Sequence, residues 1–121
     1  MMAGMNDRTL SDLTAAVVRH RDEREWGQFH TPKELAISLA IESAELLGLM
    51  QWKNGRQLEE TVAAKREQIA DELADVLHSL LLLGAELQIP LDEALLKKLA
   101  KDAMKYPVHK AKGKNLKYDE L

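Results

Sequence analysis

Glu42-Ser43-Ala44-Glu45 and Glu72-Leu73-Ala74-Asp75 are two acidic-x-x-acidic units in one short chain. On an α-helix, residues three apart lie on one face about a turn from each other, so each unit projects two carboxylates in one direction. Leu39, Ala40, Ile41, Ala44, Leu46 and Leu47 flank the first unit, and Leu73, Ala74, Val76, Leu77 and Leu80 flank the second. These are core-facing stretches, and a carboxylate is costly to bury without a partner. Four such groups brought together repel unless some take up protons or cations fill the site. Hard oxygen ligands in a chain without cysteine suit magnesium, with manganese as a substitute, better than zinc. Di-iron bundles use similar spacing but need Glu-x-x-His pairs; only His78, three after Asp75, keeps iron open. For either unit alone, the plainer alternative is a solvated edge or pairing with Lys or Arg.

Trp26, Phe29, His30 and Trp52 stand just before and just after the helix that carries the first unit. Aromatic residues make up 4% of the chain, so this group takes most of them. Flat rings beside a His suit a pocket that stacks a nucleobase and reads its edge. The alternative is that Trp26 and Phe29 plug the end of a helix bundle. Lys98, Lys101 and Lys105 recur on one face of a later helix, followed by Tyr106. They are ordinary partners for a helix C-terminus, or the cations that a polyphosphate needs beyond its metal. Lys110, Lys112, Lys114 and Lys117 read as a solvated tail. His20, His78 and His109 join no constellation, with His20 and His78 read as partly buried structural residues. No Walker-type phosphate loop, Ser nucleophile elbow or zinc finger is present.

The elements that must position these groups are helical. Leu, Ala, Glu and Lys dominate the 121 residues, and β-branched residues are scattered rather than alternating. A first helix is predicted from about Ser11 to Arg24, with Leu13, Ala16, Val17 and His20 on one stripe. Glu25 to His30 reads as a loop. A second helix begins at Pro32, with Thr31 as cap and Glu34 completing a capping box, and runs to about Gln51. Asn54-Gly55 is a turn signal. A third helix is predicted from about Leu58 to Leu87, stopped by Pro90. Its second half is apolar on more than one face, which points to a second subunit covering the extra face. A fourth helix runs from Leu91 to about Lys105, ended by Pro107. The expectation is all-α: one domain over 1–121, an antiparallel four-helix bundle completed by dimerisation, with a tail over 1–9 and an irregular arm over 108–121.

Composition bounds the function further. The net charge of −3 draws neither nucleic acid nor an anionic membrane, so an anionic substrate needs local cations. The absence of cysteine rules out a disulfide framework and a thiol nucleophile, and fits a reducing cytoplasm. The opening MMAGMNDRTL holds no apolar signal core, and Val76 to Leu83 is too short to span a bilayer.

The set Trp26-x-x-Phe29-His30, Glu42-x-x-Glu45, Gln51-Trp52-Lys53, Glu72-x-x-Asp75, Lys98, Tyr106-Pro107-Val108-His109 and Lys117-Tyr118-x-Glu120-Leu121 resembles the MazG-like all-α nucleoside triphosphate pyrophosphohydrolases. Within them it is most similar to the dCTP pyrophosphatase branch, over about Leu10 to Leu121. The resemblance implies hydrolysis of a nucleoside triphosphate to the monophosphate and pyrophosphate, in the service of nucleotide-pool cleansing. It implies magnesium held by Glu42, Glu45, Glu72 and Asp75, with Glu42 or Glu45 as general base. It implies a substrate site drawing on Trp26, His30, Trp52, Lys53, Lys98, Asp102 and Tyr106, and a homodimer or a homotetramer built from dimers. One position departs: Asp102 stands where the family usually has Asn, and an ionised Asp cannot donate a hydrogen bond. Two alternatives stay open. One is a related pyrophosphohydrolase for dUTP, phosphoribosyl-ATP or damaged purine nucleotides. The other is a non-catalytic helical dimer that binds metal structurally or serves as a partner-binding module.

Overall fold

A computed structural model describes residues 7–121, so most of the expected tail over 1–9 lies outside the described residues. Every regular element among them is helical: α1 (Leu10–Glu23), α2 (Pro32–Gly48), α3 (Gly55–Ala64), α4 (Arg66–Glu86), α5 (Leu91–Lys105) and α6 (Val108–Ala111). Two 3-10 turns, Trp26–Phe29 and Tyr118–Glu120, complete the set. The chain forms two compact units, one ending at Ile89 and one spanning Pro90–Leu121.

In the first unit, α2 packs along α4, and α1 packs on α4 as well. The half-buried or buried positions of α2 are Leu35, Leu39, Glu42, Leu46 and, just past its end, Leu49. On α4 they include Ile69, Glu72, Val76, Ser79 and Leu83. Both series advance by alternating steps of three and four, the seam of two helices packed side by side. Leu35, Leu81 and Leu82 form the buried core. On α1 the half-buried stripe is Leu13, Thr14, Val17, Val18 and Arg21, whereas Ala16 and His20 are more exposed, although the His20 ring still meets His78 of α4. This shifts the predicted stripe by one position. Arg21 goes with the shift, because its largely covered side chain reaches Glu86 of α4 at 4.0 Å.

Capping explains the boundaries. Thr31 Oγ1 accepts from the Glu34 amide at 3.2 Å, so the predicted cap of α2 forms, but only this half of the box is present. The full capping box belongs to α1. There Thr9 Oγ1 accepts from the Asp12 amide at 3.0 Å, and Asp12 accepts from the Thr9 amide at 2.9 Å. α2 stops at Gly48, three residues short of the predicted end, and the chain turns through 49–52. The predicted loop over 25–30 contains a 3-10 turn at Trp26–Phe29.

The predicted third helix is two helices. Lys65 leaves helical geometry (φ −107°, ψ 23°), its amide closing α3 on Thr61 and its carbonyl opening α4 to Ile69. No Pro or Gly marks this break; β-branched Thr61 and Val62 weaken the helix just ahead of it. At the far end α4 stops before Pro90 acts. Gln88 adopts the left-handed region (φ 55°) and donates to Ala85, while Ile89 donates to Gly84. These two bonds make a Schellman motif, which terminates the helix by itself. Gln88 holds a conformation that suits glycine, so Gln88→Gly is expected to stabilise the fold by about 1 kcal/mol. A urea titration checks this; an unchanged or lower midpoint contradicts it.

In the second unit, α5 has the predicted bounds, with Asp92 and Glu93 in its first turn. The arm beyond it is more ordered than predicted, because α6 and the turn at Tyr118–Glu120 form within it. Tyr118 folds against the end of α5: its ring meets Tyr106 edge-on with centroids 6.2 Å apart, and Lys105 Nζ lies 5.0 Å from its centre. These stacking and cation–π contacts hold the arm. No single helix among the described residues is long and apolar enough to cross a membrane.

Candidate metal and nucleotide site

Glu42, Glu45 and Glu72 converge from α2 and α4, each offering a carboxylate oxygen within 4.8 Å of the others. The seam explains why. Glu42 and Glu72 occupy seam positions, so packing α2 on α4 forces them together. Glu45 is exposed on the flank, one turn along from Glu42. Asp75 is also exposed and lies outside this three-residue group, but its charge bears on both Glu42 and Glu72. The predicted quartet is thus three converging carboxylates and a neighbour. Each acidic pair contributes one half-buried member, Glu42 or Glu72, and one exposed member, Glu45 or Asp75.

The electrostatics are those of a site built for a cation. Loss of water raises the Glu42 carboxyl to about 7, helped by the close approach and charge of Glu45 and then by Asp75 and Glu72. Loss of water is also the first cause that raises Glu72, followed by the charge of Glu45. Neither Glu42 Oε2 nor Glu72 Oε2 has a hydrogen-bond partner, although both atoms are buried. No Lys, Arg or His makes a salt bridge with these carboxylates among the described residues. Pairing with a base, the plainer alternative, therefore does not occur. Orphaned buried oxygens of this hardness fit a divalent cation such as magnesium or manganese. His78, like Asp75, lies outside this three-residue group.

The aromatic residues are placed differently from one another. Trp26 is 44% exposed, Phe29 64% and Trp52 80%, so none of them plugs the core of this chain. Exposed rings suit ligand contact better than structural filling. Trp26 lies in the 3-10 turn ahead of α2, with the Arg24 guanidinium 5.8 Å from its ring centre. His30 follows that turn, and its Nδ1 is buried without a partner. Trp52 and half-buried Lys53 lie in the turn after α2. Among the described residues Trp52 makes no ring contact with Trp26.

Lys98, Asp102 and Tyr106 belong to the second unit, spaced four residues apart on α5 and its cap. Lys98 Nζ donates to Asp102 Oδ1. The unusual Asp102 thus acts first on the neighbouring cation.

One grouping escaped the sequence reading. His20 packs edge-on against Trp26 (centroids 5.8 Å, 73°) and edge-on against His78 (5.8 Å, 82°). Burial lowers the pKa of His78, with the charge of His20 adding to the effect. The only signal in the sequence was position: His20 near the end of α1, and His78 one turn after Asp75.

Comparison with known proteins places the chain in a family. The MazG-like family model matches residues 37–121, which include all four acidic residues. The dCTP pyrophosphatase 1 of Bos taurus is 35% identical over 96% of this chain and 70% of its own length. That of Homo sapiens is 36% identical over 93% of this chain and 68% of its own. A solved pyrophosphatase from Archaeoglobus fulgidus superposes with a TM-score of 0.78 at 37% identity, covering 84% of this chain and 95% of its own. The chain belongs to the MazG-like family.

Proposed function

We propose that this chain, a nucleoside triphosphate pyrophosphohydrolase, cleaves dCTP or a modified dCTP to the monophosphate and pyrophosphate. The observation that carries the reading is the convergence of Glu42, Glu45 and Glu72 in a seam that leaves two buried oxygens unpartnered. A triphosphate cannot approach such a cluster unaided, because like charges repel. Glu42, Glu45, Glu72 and Asp75 would hold magnesium, which when bound offsets phosphate charge and acidifies water. Glu45 is the general base in this reading, since it alone of the three converging carboxylates is exposed to water. It takes the proton from the water that attacks the α-phosphorus, and pyrophosphate leaves. Trp26, His30 and Trp52 contact the base. Lys53 contacts the phosphates in this reading, and the family resemblance adds Lys98 and Tyr106 to the substrate contacts; Asp102 accepts from Lys98.

The proposed assembly is a homodimer, or a tetramer of two dimers, in which four long helices of each chain contribute to antiparallel bundles. Ile37, Ile41, Leu73, Leu77 and Leu80 support it, since these α2 and α4 residues remain 38–52% exposed in the single chain. The proposed setting is the cytoplasm, where the nucleotide pool lies.

A panel of dCTP, 5-methyl-dCTP, dUTP, dATP and phosphoribosyl-ATP, with magnesium and pyrophosphate detection, tests the substrate. Turnover of the two cytosine nucleotides at least about tenfold above the others is expected, the scale of discrimination by one well-placed polar contact. Preference for dUTP or a purine nucleotide sinks the cytosine assignment. Magnesium binding without hydrolysis of any member favours a non-catalytic metal-binding dimer.

A further inference from the structure

Trp26 sits in a short 3-10 turn of only four residues and is 44% exposed, so the turn by itself holds the ring weakly. The ring is nevertheless edge-on to His20, which is edge-on to His78. His20 lies near the end of α1, and His78 lies on α4, one turn after Asp75. The three rings therefore run from the turn before α2 to the helix that carries half of the acidic site. Edge-to-face pairs of this kind have defined angles and add specific attraction beyond burial. A pair built from two histidines is less expected than two leucines, which would bury more apolar area at the same place. Its value lies in direction rather than in area.

We propose that His20 and His78 are positioning residues that fix the Trp26 ring relative to α4, and so set how tightly the substrate's base is held. The inference rests on the reading of Trp26 as a base contact. His20 bears on Trp26 directly, and His78 bears on it by fixing His20. Neither touches the reacting atoms. Loss of either ring frees Trp26 and weakens binding without changing the chemical step, so KM moves and kcat does not. Phenylalanine can keep the edge-to-face contact, and alanine cannot.

The test uses the full chain with magnesium and dCTP. His20→Ala and His78→Ala should each raise KM about three- to tenfold with kcat within roughly twofold, the scale of one such ring pair. His20→Phe should restore most of the loss. In a Trp52→Phe background the fluorescence reports Trp26 alone, since the chain has 2 tryptophans. There His20→Ala should lower the anisotropy of Trp26, and His20→Phe should not. A merely structural role would lower the folded fraction, and with it kcat, while leaving KM and the rescue pattern unmoved. If His20→Ala changes neither KM nor anisotropy while Trp26→Ala raises KM, positioning is overturned and the base contact stands. An unchanged KM in Trp26→Ala overturns the base contact and this inference with it.

Discussion

Glu45→Gln is expected to lower the turnover of dCTP by about 10²–10⁴-fold, the range of a lost general base, while the chain stays folded. The amide is isosteric with the carboxylate but takes no proton and is a poor ligand for a hard cation. Packing should survive because Glu45 is exposed on the flank of α2 and carries none of the seam contacts made by Leu39, Glu42 and Leu46. The loss should appear in kcat with dCTP at saturation, as the proposed role is in the chemical step. The comparison with Glu42→Gln separates the two candidate bases. Glu42 is a seam residue whose main duty in this reading is to hold metal, so raised magnesium should recover part of its activity. No magnesium concentration should recover Glu45→Gln. Wild-type turnover in Glu45→Gln would remove Glu45 from the site. Recovery by magnesium would pass the proton-accepting role to Glu42.

How much of this was legible in the sequence depends on what each residue signals locally. The acidic units were visible because helical spacing is a property of neighbouring residues, and Pro32 after Thr31 announced the start of α2. The bounds of α5 were equally local, with Pro90 before it and Pro107 after it. The break at Lys65 was not legible: it carries no Gly or Pro, and a β-branched pair is too common to mark a helix end. The end of α4 near Leu87 was legible, but its cause was not: Gln88 terminates the helix, and a left-handed C-terminal residue is usually Gly. Within the site, the sequence could not say that Glu42 and Glu72 occupy the seam while Glu45 and Asp75 flank it. That distinction depends on the angle at which α2 meets α4, and the apolar residues surround both members of each unit. The His20–His78 pair was invisible because its members are 58 positions apart by number on separate helices, and nothing in either neighbourhood points to the other.

The melting temperature should show the cation site before any assay of activity does, and pH supplies the control. The folded pKa of Glu42 is raised to about 7 from an ordinary 4.5, and that of Glu72 is raised too. Between those limits the folded metal-free chain binds protons that the unfolded chain has released. Stability therefore falls as pH rises through that window, and by pH 8 the cluster's full repulsion is felt. Magnesium reverses the trend, since it binds the ionised carboxylates and only the folded chain brings them together. At a hundred times its dissociation constant a ligand adds about 2.7 kcal/mol, which for a chain of this size is a rise of about 10 °C. The rise should be large at pH 8 and smaller at pH 5, where Glu42 already holds a proton. Glu72→Gln should melt higher than the parent at pH 8 without metal, because one repelling charge is gone, and should lose most of the magnesium response. An equal magnesium effect at both pH values would place the cation on the general surface. A Glu72→Gln chain that melts lower without metal would mean that the carboxylate is already partnered in the free protein, and that the two orphaned oxygens are not what a cation binds.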